Sequence, residues 1–197
     1  MGYLKYVREA WRKPSTTISG LMRERLKLWR KEPVTVRIDH PTRIDRARSL
    51  GYRAKQGFLI ARQRVDRGGR MRPKITGGRR SKHSRRLKIL DKNYQQVAEE
   101  RAGRKFPNCE VLNSYLVAQD GIYAWYEVIL VDWSHPSIAR DGQIGWIGDQ
   151  KGRAVRGLTS AGKKARGLRT KGTGTEKMRP SKHGAFVRKV NKQASKP

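Results

Sequence analysis

The chain has 197 residues, with 47 Lys or Arg against 16 Asp or Glu and a formal charge of +31, an excess too large for internal pairing that demands a polyanionic partner. Hydrophobic residues at 36% allow a modest core but not one spanning the whole chain. The single cysteine, Cys109, excludes an internal disulfide framework and a multi-cysteine zinc site. Uncharged apolar runs such as Val128 to Val131 are far too short to cross a bilayer, and no signal-peptide core follows Met1, so an intracellular, non-membrane protein is expected.

Leu4, Val7 and Trp11 recur at helical spacing, with Lys5, Arg8, Glu9 and Arg12 on the other side, and Pro14 interrupts that helix. Ser15 or Thr16 can cap a second helix carrying Ile18, Leu21, Met22, Leu26 and Trp29 on one stripe, which Pro33 ends. Val34, Val36 and Ile38 alternate with Thr35 and Arg37, the period of a half-buried strand. After His40-Pro41, Thr42 is the expected N-cap of a short helix through Leu50, closed by Gly51. Phe58 to Val65 reads as a further strand. Tyr94, Val97, Ala98 and Ala102 define a helix over Asn93 to Arg104, in which Glu99 and Glu100 are expected on an ion-paired, exposed face.

Residues 109–119 and 122–133 form the clearest strand pair, flanking Asp120-Gly121, which suits a type I′ turn with both central residues at positive φ. The second of these strands is apolar on both faces, so it should be central and covered by helices on at least one side. These elements give an α+β fold: a small, mostly antiparallel four-stranded sheet with covering helices.

The charge is unevenly divided. Residues 1–61 carry +10, residues 62–105 carry +12, residues 106–149 carry −5 and residues 150–197 carry +14. The acidic block holds Trp125, Trp133 and Trp146 and reads as core. Residues 66–90 and 167–197 combine glycines with many cations and few apolar residues, so neither can offset its own ordering entropy. The expected organisation is one globular α+β domain over 1–168, with a basic arm inserted at about 66–90, and a basic extended tail over 169–197. Both extensions are expected to order only against a partner.

Catalytic chemistry finds little support. Gly157 to Lys163 reproduces most of a P-loop, but Lys164 stands where Ser or Thr must hold magnesium, and no buried strand precedes it. The segment reads instead as a Gly-bounded helical turn presenting its N-terminus to a phosphate. His40, His83, His135 and His183 are far apart in sequence, and no metal site is expected. His135 reads as a loop residue before Pro136. No cofactor is expected beyond Mg2+ or K+ held by a nucleic-acid partner.

Arginine outnumbers lysine and recurs with Gly and Ser in Gly77 to Arg86. Guanidinium groups bridge phosphates bidentately and stack on unpaired bases, and glycine lets the backbone approach a polyanion closely. Composition does not separate RNA from DNA. A general nucleic-acid or chromatin binder therefore stands as the second reading, and a nucleotide-dependent enzyme resting on Gly157 to Lys163 as the third.

The run Asp45 to Leu59, continued by Arg64-Val65, closely resembles the signature of the archaeal and eukaryotic large-subunit ribosomal protein fifteen of the "e" type. Tyr3 to Lys13, Val65 to Pro73, Val97 to Arg104, Val111 to Tyr115 and Arg156 to Leu168 also match, so the resemblance covers nearly the whole chain up to about Leu168. The short middle arm and the tail look more archaeal than eukaryotic. The resemblance implies a non-enzymatic constituent of the large ribosomal subunit in the cytoplasm, bound to its rRNA beside other subunit proteins and not forming a homo-oligomer.

In that setting, Arg43, Arg46, Arg48, Arg53, Lys55 and Gln56 would form a rigid RNA-docking platform. Arg67, Arg70, Arg72, Lys74, Arg79, Arg80, Lys82, His83, Arg85, Arg86 and Lys88 would line the penetrating arm. Arg153, Arg156, Lys163, Lys164, Arg166, Arg169 and Lys171 would add contacts near the tail.

Overall fold

The computed structural model describes residues 2–74, 77–78, 85–170, 172, 175–178 and 181–194. Helix α1 (Leu4–Arg12) stops before Pro14, and α2 (Thr16–Lys31) starts at Ser15, whose hydroxyl accepts the Ile18 N–H at 3.4 Å. The apolar stripe of α2 is narrower than its sequence suggests. Met22, Leu26 and Trp29, at i, i+4 and i+7, meet the core, while Leu21 faces solvent on the flank of that stripe.

Strand β1 (Thr35–Ile38) is followed by α3 (Ile44–Ser49), which begins one residue later than a Thr42 cap requires, with Arg43 as its N-cap. The Thr42 N–H is taken instead by the buried Glu127 carboxylate at 3.1 Å, which holds the chain outside the helix until Arg43. Gly51 ends α3 at φ +101°, as the sequence implies.

Strand β2 (Phe58–Asp66) leads to a two-stranded ribbon, β3 (Arg70–Met71) with β4 (Leu87–Lys88). Next come α4 (Tyr94–Lys105), β5 (Cys109–Gln119) and β6 (Tyr123–Asp132). After these lie α5 (Pro136–Ala139), a 3-10 turn at Gly145–Ile147 and α6 (Ser160–Ala165). His135 caps α5, its Nδ1 accepting the Ser137 N–H at 3.2 Å.

The four-stranded sheet runs β1-β2-β6-β5 with every neighbour antiparallel. Alternation along β6 explains why its sequence is apolar on both faces apart from Glu127. Ala124, Tyr126, Val128 and Leu130 point to one face, under Ala98 and Ala102 of α4, while Trp125 and Ile129 point to the other, under Trp29 and Ala47. Both faces are thus covered. A third cluster, Val131 with Ile138, Ile144 and Ile147, closes one end of the sheet.

Four expectations are corrected. Neither Asp120 nor Gly121 occupies the left-handed region, so the hairpin is not type I′ about that dipeptide. Gly121-Ile122 forms the tip, the Asp120 N–H donates to Tyr123 O at 2.9 Å, and the Asp120 carboxylate accepts the Ile122 and Tyr123 amides. This side-chain acceptor replaces the geometry that positive φ would supply.

Glu99 and Glu100 are buried, not exposed, because the short turn 106–108 lays α4 across β5 with those residues on its underside. Trp146 is 44% exposed rather than core. The tail is not wholly extended either: a 3-10 turn at Glu176–Met178 precedes α7 (Lys182–Ala194), in which Phe186, Val187 and Val190 share helical spacing and remain exposed.

Cys109 is buried at the start of β5. Burial, then the Asp132 carboxylate, push its thiol up to about 11 against the opposing pull of Arg37. Relative to an ordinary thiol, the thiolate fraction at pH 8 falls roughly 200-fold. Native protein should resist iodoacetamide at pH 8 and label rapidly in guanidinium, which mass spectrometry would read directly.

Candidate nucleic-acid interface

At the base of the arm, Arg70 pairs with Lys88 and Met71 with Leu87, and all four are exposed. The ribbon is tied to α4 by Tyr94, whose hydroxyl accepts the Gly68 N–H at 2.7 Å and faces the Gly68 carbonyl at 3.1 Å. Arg67, Arg70, Lys88, Lys92 and Arg101 surround a cavity of about 340 Å³ at this junction. The Arg67 guanidinium also donates to the Asp120 carbonyl, which fixes where the arm leaves the sheet. Arg72, Lys74, Arg85 and Arg86 are exposed further out. Arg79, Arg80, Lys82, His83 and Lys171 lie outside the described residues.

The signature platform divides in two. Arg46, Arg48 and Gln56 are exposed, so their polar groups are available to a partner. Arg53 and Lys55 converge on Asp141, at 3.2 and 3.0 Å, and Arg53 also donates to Gln143. The Lys55 ammonium and the Gln143 N–H hold the Asp141 carboxyl below the usual carboxylate range. Arg43 packs over the Trp11 ring at 4.9 Å and pairs with buried Asp45 at 3.3 Å.

In the C-terminal group, Lys163, Lys164 and Arg169 are exposed. Arg153, Arg156 and Arg166 instead bond back to the fold. Arg153 is half-buried, donates to the Val111 carbonyl at 2.9 Å and lies over Trp146 at 4.7 Å. Arg166 donates to Gly157 O at 3.2 Å, and Arg156, though exposed, donates to Lys151 O at 2.6 Å.

The near-P-loop does not present a helix end to a phosphate. Thr159 is fully buried, its hydroxyl accepts the Gly162 N–H, and the Glu99 carboxylate accepts from that same hydroxyl. The cap residue of α6 is thus turned inward onto Glu99 rather than outward to a phosphate. The bounding glycines have a packing role: a Cβ on Gly162 would lie 2.5 Å from Gly157 Cα.

Sequence reading missed Arg8 and Arg12 as site residues. Arg8 and Arg12 of α1 face Arg43, which caps α3, and Arg46 of α3 across a groove of about 640 Å³ that is also lined by Ser114 and Tyr115 of β5. The signal lay in the polar side of α1, where Arg8 and Arg12 stand one helical turn apart. Among the described residues, no group of three or more His, Cys, Asp or Glu gathers as metal ligands, and no helix is long and apolar enough to cross a membrane.

Comparison with known proteins matches residues 2–185 to the family model described as Ribosomal L15. The large ribosomal subunit protein eL15 of Methanocella arvoryzae is 59% identical over 181 residues, covering 89% of this chain and 92% of that protein. Its counterpart from Methanocorpusculum labreanum is 51% identical over 178 residues, with the same coverage of both chains.

Proposed function

Because the chain belongs to the ribosomal L15 family, we propose that it is a structural constituent of the large ribosomal subunit, with no catalytic role of its own. The observation that carries this reading is the match over residues 2–185 to a ribosomal family. The exposed cations of the arm, the platform and the C-terminal segment support it by offering phosphate-binding groups from three separate stretches of the chain. The sheet and its helices act as a rigid block, and the arm from Arg67 to Lys88 penetrates folded rRNA. The chain sits in the ribosome beside other subunit proteins, and any Mg2+ or K+ near it is held by the RNA.

Replacing Arg79, Arg80, Arg85 and Arg86 by Glu should block incorporation into large subunits while leaving the core folded. In a gradient, wild-type tagged protein should co-sediment with the large subunit and the variant should stay near the top. Four lost phosphate contacts should also lower the salt dependence of RNA binding by roughly 3 in log–log slope. Unaltered incorporation would sink the penetrating arm. Wild-type protein that remains free in low salt would overturn the ribosomal reading itself. Equal affinity for duplex DNA and rRNA fragments at physiological salt would favour a general nucleic-acid binder.

A further inference from the structure

The groove between α1 and α3 combines three features. Arg8 and Arg12 project from one wall and Arg46 from the other; all three are exposed, and none pairs with a carboxylate among the described residues. The one carboxylate among the residues lining the groove, Asp45, is buried and gives one oxygen to Arg43 at 3.3 Å. That pair, with the Trp11 ring under the Arg43 guanidinium, fixes the α3 wall and leaves its net charge positive.

The spacing selects the ligand. Residues four apart on a helix have Cβ atoms about 5–6 Å apart, which lets Arg8 and Arg12 each take one of two adjacent phosphates on a nucleic-acid strand. A groove of about 640 Å³ between two helices is small, which favours one strand over a duplex as its occupant. Leu116, 39% exposed at the groove, offers an apolar ledge on which a ribose or base can rest.

We propose that the α1–α3 groove binds the phosphodiester backbone of a single-stranded RNA segment, with Arg8 and Arg12 on consecutive phosphates and Arg46 closing from the opposite wall. This rests on the reading that the chain binds RNA, and it assigns a second anchoring site separate from the arm.

The test uses the full chain and fluorescein-labelled decauridylate, followed by anisotropy over a salt series, with a ten-base-pair RNA duplex in parallel. The groove variant Arg8→Gln with Arg12→Gln is compared with Arg23→Gln plus Arg25→Gln, which removes the same charge from the exposed surface of α2. Losing two single-strand phosphate contacts should weaken decauridylate binding about 25-fold at 0.1 M salt and reduce the log–log slope by about 1.4.

The α2 variant should lose far less, and duplex binding should fall by similar, small factors in both. All four arginines are exposed, so both variants should melt with wild type. Equal losses of decauridylate affinity in the two variants would overturn the groove while leaving RNA binding intact. A groove variant that binds as wild type does would overturn it too. Wild-type protein that binds neither RNA would instead overturn the reading on which the groove rests.

Discussion

Gly162→Ala is expected to destabilise the protein by about 3 kcal/mol or more. An added Cβ would stand 2.5 Å from Gly157 Cα and 2.7 Å from its carbonyl carbon, and both are backbone atoms that no rotamer change can move. Gly157 itself is held at φ +65° and faces the Arg166 side chain, so the loop has little room to retreat. The thermal midpoint should fall by about 6–12 °C for a chain of this length.

Gly103→Ala supplies the contrast. There, a Cβ in α4 would meet only Val111 Cγ2 at 3.6 Å, an ordinary contact. A helical Gly→Ala change of that kind should stabilise by about 0.5–1 kcal/mol. Thermal melts in which both variants shift alike would refute the close backbone approach of residues 157 and 162.

Glu99→Ala is expected to cost about 3 kcal/mol, through a buried cavity and two buried hydroxyls left without their acceptor. The Glu99 carboxylate accepts from Ser114 on β5 and from Thr159 ahead of α6, so one side chain joins α4 to two other elements. Glu99→Gln should preserve most of that joint, because an amide can accept from one hydroxyl and donate to the other.

The two variants also separate structure from charge. Burial raises the Glu99 carboxyl, and the Ser114 and Thr159 hydroxyls and Arg153 only partly pull it back. The unfolded carboxyl titrates near 4.3. As pH rises from there to the folded value, the unfolded chain sheds a proton that the folded chain keeps, so stability falls through that window and levels above it. Urea midpoints between pH 4 and 8 should therefore decline less steeply in Glu99→Gln than in wild type. Glu127 is also raised by burial and supplies the residual decline. An unchanged slope would refute the role given to Glu99.

Much of the fold is legible from local pattern. The stripe Met22, Leu26, Trp29 and the doubly apolar run of β6 each state which face meets the core, and the structure follows both. What misled were residues whose partners come from afar. Thr42 reads as a cap but meets Glu127, and Glu99 reads as exposed but meets Ser114 and Thr159. Asp120 lends its carboxylate to a turn that the dipeptide alone would build differently. In each case a long-range or side-chain hydrogen bond outweighed the local preference. The helical spacing of Phe186 and Val190, in contrast, was visible and was masked by the basic composition around it.

The sequence by itself determined the class of partner, because a charge of +31 is a property of composition and no fold can cancel it. It also located the four sheet strands and the first four helices, since helical and strand periodicity are local. The tertiary structure decided which cations remain available. Arg30 meets Asp120 across 90 residues of sequence, and Arg53 and Lys55 meet Asp141 across 88 and 86. The acidic block of 106–149 thereby holds cations from the basic segments, while Arg8, Arg12 and Arg46 stay exposed and without a carboxylate partner among the described residues. Coulomb attraction and hydrogen bonding depend on separation in space, and only folding sets that separation.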